Sequence, residues 1–153
     1  NAADRSLTKG YVAKMLRSRR FLGVHMSLGA ITLEHAPSAQ AFAVLFRRSG
    51  KQGALRSFDP NIRSNMITGK PKDYSKKMER LLRLVDLAKV SEEDLQFMYG
   101  EDVKIPEIAA SWLKLGPKLV VVTQGAKGAE AFAKREGEDG PLTASVSPPG
   151  ERP

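Results

Sequence analysis

Three polar side chains of different chemistry stand at alternate positions in Phe58-Asp59-Pro60-Asn61-Ile62-Arg63. In an extended segment, alternation puts Asp59, Asn61 and Arg63 on one face. An acid, an amide and a guanidinium turned the same way can hold oxygen-rich or anionic groups. The same string is also good turn chemistry, because Asp and Asn bond their own backbone and Pro fixes φ. Just before it, Ala54 to Phe58 reads as a short buried strand. Pro60 has no N–H for a ladder, so the strand should stop there.

Two further places carry chemistry. Lys89 ends an otherwise apolar run, and a strand-end lysine can serve as a point charge for phosphate. Ser91-Glu92-Glu93-Asp94 follows, close to a capping box with Ser91 as N-cap and Asp94 at N3. The same two residues could face a phosphate, or the hydrated magnesium ion it carries, with Asp94 as the carboxylate. Thr123-Gln124-Gly125-Ala126-Lys127-Gly128 is a glycine-bearing turn after a buried strand. Gly125 and Gly128 let backbone approach a ligand, or simply permit positive φ in a turn. No G-x-x-x-x-G-K-[ST] and no G-x-G-x-x-G occurs, so neither usual phosphate-loop fingerprint is present.

The elements that must position these residues repeat at βαβ spacing. Apolar runs at Phe21 to Met26, Ala54 to Phe58, Asp86 to Val90 and Lys118 to Thr123 have centres about thirty residues apart. The Val120-Val121-Val122 core of the last run suggests a strand covered on both faces. Helical patterns fill the gaps: Ser6 to Arg19, Pro37 to Arg48, Asp73 to Val85, Ser91 to Tyr99 and Pro106 to Leu115. This alternation predicts a parallel, doubly wound α/β sheet. Ala129 to Arg135 and Thr143 to Val146 read as an added edge hairpin. Residues 1–147 are expected to form one core domain, and 148–153 a Pro-rich tail. In an open parallel sheet, ligands bind beyond the carboxyl ends of the strands. Three of the four predicted strands run into polar residues there: Asp59, Asn61 and Arg63; Lys89 and Ser91; and Thr123, Gly125 and Gly128.

Composition narrows the classes. At 153 residues the chain is about one domain, with 41% hydrophobic and 27% charged residues. No apolar run approaches the ~20 residues that span a bilayer. The absence of cysteine excludes disulfides and thiolate metal sites and fits a cytoplasmic protein. His25 and His35 have no ligand-like spacing, so each is expected in a structural or hydrogen-bonding role. The net charge of +8 permits an anionic partner. Its densest stretch is Lys14, Arg17, Arg19 and Arg20, at the end of a predicted helix where cations suit the dipole. No nucleic-acid motif accompanies it and aromatics stand at 7%, so nucleic acid is not the expected partner.

Taken in order, these motifs resemble the PfkB-type, ribokinase-like sugar kinases, and fructokinases most of all. Phe58-Asp59-Pro60-Asn61-Ile62-Arg63 matches the family's D-x-N-x-R motif. The segment from Val85 to Leu95 matches the one in which many members carry N-x-x-E, with Ser91 and Asp94 in place of that Asn and Glu. Trp112-Leu113, Gly116-Pro117 and Val121 to Gly128 match the strand and nucleotide-binding turn that follow, with Gln124 where relatives often have Arg. The resemblance implies a partial ribokinase-like three-layer α/β/α sandwich. It implies transfer of the γ-phosphoryl of ATP, with Mg²⁺, to a sugar hydroxyl. Asp59, Asn61, Arg63 and Lys89 would lie near substrate and transferred phosphate. Ser91, Asp94, Thr123, Gly125 and Gly128 would serve the nucleotide, and Asp94 the metal. The family's catalytic base is the Asp of a Gly-Ala-Gly-Asp motif, and that string does not occur in these 153 residues. The expectation is therefore an internal fragment of a sugar kinase, inactive alone, that can self-associate through an exposed sheet edge. The alternative is a non-catalytic α/β module that binds nucleotides or partners.

Overall fold

The computed structural model describes residues 8–27, 38–62, 64, 67, 70–135, 137 and 140–148. The described elements run α1 (Lys9–Ser18), β1 (Gly23–Ser27), α2 (Ser38–Lys51), β2 (Leu55–Asp59), α3 (Pro71–Leu82), β3 (Leu87–Ser91), α4 (Glu92–Tyr99), α5 (Ile105–Leu115), β4 (Leu119–Thr123), a 3₁₀ turn (Gly125–Lys127), β5 (Ala129–Ala133) and β6 (Leu142–Val146). Local chemistry sets their ends. Thr8 caps α1 by accepting the Tyr11 N–H, prolines stand in the first turns of α3 and α5, and Gly100 and Gly116 close α4 and α5. Helix α3 starts at Pro71, two residues before the expected Asp73, because a first-turn proline loses no helical hydrogen bond. Among the described residues no helix is long and apolar enough to cross a membrane. Most of the Pro-rich tail, residues 149–153, lies outside them.

The strands form one six-stranded sheet in the order β1-β2-β3-β4-β5-β6. The first four are parallel, β5 runs antiparallel to β4, and β6 antiparallel to β5. The mainly parallel sheet and its edge hairpin thus follow the sequence pattern. One detail differs from the doubly wound expectation. Strands adjacent in sequence are adjacent in the sheet throughout, and parallel crossovers are right-handed, so the helices linking β1 to β4 fall on one face. Burial shows the result. Met26, Phe58, Ala88, Val90, Val120, Val122 and Phe132 lie on that face at 0–4% exposure. Lys89, Ser91, Val121 and Thr123, on the other, are half-buried. Among the described residues, then, the Val120–Val122 run has a helical cover on one side only.

The helical layer is tied by polar groups as well as by packing. The Trp112 indole N–H donates to the Tyr99 hydroxyl, 3.0 Å, which donates to Glu79, 3.3 Å, linking α5, α4 and α3. Burial pushes the Tyr99 phenol up to about 12. Below the sheet, Asp86 knots three strand starts. Its carboxylate accepts from Arg56 Nε at 2.9 Å, Arg56 Nη2 at 2.8 Å and the Arg56 backbone N–H at 2.9 Å. Its carbonyl accepts the Lys118 N–H at 2.8 Å.

Candidate functional site

Register brings the strand exits into one row. Ser27 lies opposite Asp59, and Ser91 opposite Thr123. Between those pairs, Lys89 Nζ meets Asp59 Oδ2 at 3.2 Å. Side chains of alternate parity face the helices, so Ser27, Asp59, Lys89, Ser91 and Thr123 share the other, more open face. The expectation that Lys89 and Thr123 converge on one face at the carboxyl end of one sheet is thus met by the geometry. Arg63, its third member, lies outside the described residues.

Beyond β2 the chain does not stay extended. Asn61 sits at φ +43°, in the left-handed region, and Asp59 Oδ1 accepts the Asn61 N–H at 3.1 Å. This is an Asx turn: the aspartate captures the amide two residues on, and Asn tolerates the left-handed conformation. The alternating-face reading therefore fails past Pro60, and the turn chemistry prevails. The Asn61 amide lies 3.5 Å from Ser27 Oγ, longer than a good hydrogen bond. Asn61, Ile62, Ser64, Lys89, Ser91, Glu93, Asp94 and Phe97 line a cavity of about 270 Å³.

Helix α4 begins under this cavity. Ser91 Oγ accepts the Asp94 N–H at 3.1 Å, so the capping interaction read from the sequence is present. Asp94 is 7% exposed, and its Oδ1 accepts the Ile62 N–H at 3.1 Å. Burial pushes its carboxyl above the usual carboxylate range, with the nearby Asp59 charge adding to this; hydrogen bonds from Ser91 and Ile62 oppose it. Among the described residues no three His, Cys, Asp or Glu side chains gather to hold a metal. Asp94, a lone carboxylate engaged by Ile62 and Ser91, does not make a protein-held metal site; a magnesium ion here would have to travel on a polyphosphate and keep its waters.

The glycine turn closes the other end of the row. Gly125 has φ +55° with open space where a Cβ would stand. Gly128, at φ +99°, is different: a Cβ there would run into the Val146 carbonyl oxygen, so β6 requires this glycine whatever binds nearby. Lys127 pairs with Glu92 at 3.5 Å, linking the turn to the start of α4. His25 takes the hydrogen-bonding role expected of it, although its partner was not legible in the residues. His25 Nδ1 lies 2.6 Å from Ser57 Oγ on the open face, one register step below Ser27 and Asp59. Alternation along Gly23–Ser27 could have flagged His25 and Ser27 together. Nothing in the sequence could have marked the Ile62 N–H, which is backbone.

This open α/β sheet, with its polar groups gathered beyond parallel strand ends, has counterparts of the ribokinase-like fold among solved structures. An E. coli protein described as a ribokinase II, solved with ATP and Mg²⁺, superposes with a TM-score of 0.66 over 93% of this chain and 43% of that one, at 22% identity. Fructokinase from Vibrio cholerae O395, solved with fructose, ADP and calcium, gives 0.63 over 82% and 38%, at 29% identity. The fructokinase of Rhizobium leguminosarum bv. trifolii is 36% identical over 109 residues, 71% of this chain and 32% of that protein. The description "pfkB family carbohydrate kinase" matches residues 24–145. The chain belongs to the pfkB family of carbohydrate kinases and spans about a third of the length of the curated relatives it matches.

Proposed function

We propose that this chain contributes the phosphate-facing wall of an ATP-dependent sugar kinase whose acceptor is fructose or a similar sugar. The observation that carries the reading is one cavity at the carboxyl edge of the sheet lined by Asn61, Lys89 and Ser91, with Asp59 paired to Lys89 and Thr123 in register with Ser91, in a chain 36% identical to a fructokinase. Lys89, held in place by Asp59, supplies the charge for a phosphoryl oxygen. Among the described residues, Asn61 presents an amide whose Nδ2 has only a long contact, to Ser27. Arg63 completes the anion site by its family position. The Gly125 turn approaches the nucleotide with bare backbone, and Thr123 borders it. Mg²⁺ would arrive on the nucleotide phosphates with its waters and would neutralise part of their charge. Phosphoryl transfer of this kind depends on positioning and charge stabilisation, which these residues provide without a base.

The test is to titrate the isolated chain with ATP–Mg²⁺ while following backbone amides by NMR. The expected shifts cluster at Asn61, Lys89, Ser91 and Gly125, and Lys89→Met weakens binding about 10-fold, as loss of a hydrogen-bonded charge contact should. Sugar phosphorylation by the 153 residues alone is expected at background, since loss of a general base costs about 10²–10⁴-fold. Shifts confined to another surface, or none at millimolar nucleotide, would refute the assignment. Turnover at ~1–100 s⁻¹ would refute the division of labour. Nucleotide-induced shifts with no effect of Lys89→Met would favour the non-catalytic module.

A further inference from the structure

Among the described residues Asn61 is the non-glycine position with positive φ. Few residues other than glycine adopt the left-handed region, asparagine most readily among them, and such a conformation persists where the surroundings over-determine it. Here two carboxylates from different crossovers grip consecutive amides. Asp59 Oδ1, from β2, takes the Asn61 N–H, and Asp94 Oδ1, from α4, takes the Ile62 N–H, each at 3.1 Å. Both carboxylates are themselves fixed. Asp59 is pinned by Lys89 on β3, and the backbone of Asp94 by the Ser91 hydroxyl. Pro60 is buried on one side of Asn61 and Ile62 packs on the core on the other. The turn is therefore held at both ends, and its exposed product is the Asn61 amide beside Lys89 and Ser91 at the cavity.

We propose that Asp94 is a positioning residue: its bond to the Ile62 N–H fixes the left-handed turn that aims the Asn61 side chain into the anion cavity. This rests on the phosphate-facing reading above for what Asn61 meets, but not for the hold on the turn. The geometry also ranks the roles of Asp94. A carboxylate 7% exposed and engaged by the Ile62 N–H and by Ser91 acts on the ligand chiefly through Asn61. Asparagine keeps the acceptor oxygen and loses the charge. Alanine loses both.

The experiment compares the wild-type chain with Asp94→Asn and Asp94→Ala, reading Ile62 amide exchange, the Asn61 backbone coupling and affinity for ATP–Mg²⁺. In the wild type without nucleotide, a through-hydrogen-bond coupling should connect the Ile62 nitrogen to the Asp94 carboxyl carbon. Asp94→Asn should keep Ile62 protected and bind within about 3-fold of wild type. Asp94→Ala should speed Ile62 exchange about 5- to 10-fold, as loss of one net hydrogen bond implies, move Asn61 off its left-handed coupling and weaken nucleotide binding by a similar factor. Exchange at Val90 and Val122 should stay unchanged. The proposal is overturned if Ile62 is unaffected in Asp94→Ala, or if Asp94→Asn loses as much affinity as Asp94→Ala with Ile62 still protected. Should Asp94→Ala not fold, absence of the wild-type coupling overturns it on its own. If the wild type binds no nucleotide while Asp94→Ala still frees Ile62, the phosphate reading falls and the positioning role stands.

Discussion

Replacing Asp86 by alanine should remove the three hydrogen bonds that tie the starts of β2 and β3 through Arg56. The carboxylate receives two guanidinium hydrogen bonds and one backbone hydrogen bond from Arg56, all at 2.8–2.9 Å. The side chains are 23% and 22% exposed, so the pair is partly shielded and keeps some contact with solvent. Breaking a fully buried pair costs about 3–5 kcal/mol because the remaining charge is stranded. Residual solvent here reduces that to about 2–4 kcal/mol, or roughly 6–12 °C in Tm for a chain of this size. The pH dependence has a definite sign. The Arg56 hydrogen bonds hold the Asp86 carboxyl below its usual range, so its contribution is complete above the unfolded value of about 3.9 and is lost as pH falls through the lower folded value. Arg56 is shifted further upward, chiefly by its hydrogen bonds to Asp86, and stays charged throughout. Urea unfolding of wild type and Asp86→Ala from pH 8 to 2 should therefore show a constant gap down to about pH 4 and convergence below it. Arg56→Met in the Asp86→Ala background should recover part of the loss, since no charge is then left without its partner. A gap under about 0.5 kcal/mol at pH 7, the range of ordinary surface substitutions, or one unchanged at pH 2, would refute the reasoning.

Ser91→Ala removes the N-cap of α4 and should lower stability by about 1 kcal/mol, with Ser91→Asp largely neutral; a shift in the urea midpoint at constant slope checks it. Gly125→Ala, strained but unobstructed, should cost about 1–2 kcal/mol, whereas Gly128→Ala must also push β6 away, so it should cost more and release amide protection along Leu142–Val146. Leu55, Leu142 and Val146 are 58%, 56% and 70% exposed, so the chain should bind an apolar-surface dye and associate with concentration; Leu55→Lys with Leu142→Lys should reduce both in sedimentation and fluorescence.

How much of this was legible in the residues follows from what period and punctuation encode. Strand positions, their parallel run and the edge hairpin were readable because apolar runs, turn residues and βαβ spacing are local signals. The placement of helices on one face was not, since it depends on strand order, and strand order depends on which edges pair. The Asp59–Asn61–Arg63 alternation misled past Pro60 because period two holds only while the backbone is extended, and Asp59 can capture the amide of Asn61 instead. Lys89 was recognised as an odd cation in an apolar run. Its partner was not, although Asp59 is thirty residues away and one strand over, the separation that βαβ spacing itself provides.

The role of Asp94 shows where reading by motif stops. Ser91-x-x-Asp94 could be written down as either a helix cap or a phosphate and metal pair, and composition gave no means of choosing. The fold makes the two readings one arrangement. The cap orients α4 so that its third residue points back beneath the loop after β2, and the carboxylate is then spent on a backbone N–H there. A residue that serves a ligand through another residue's backbone leaves no side-chain signature at its partner's position. Ile62 could be any residue but proline and still donate that hydrogen bond. The substitution that decides the matter is accordingly Asp94→Asn, which keeps the geometry and removes the charge. If nucleotide affinity survives it, the constellation works by holding Asn61 in place; if affinity is lost with the turn intact, the charge itself meets the ligand.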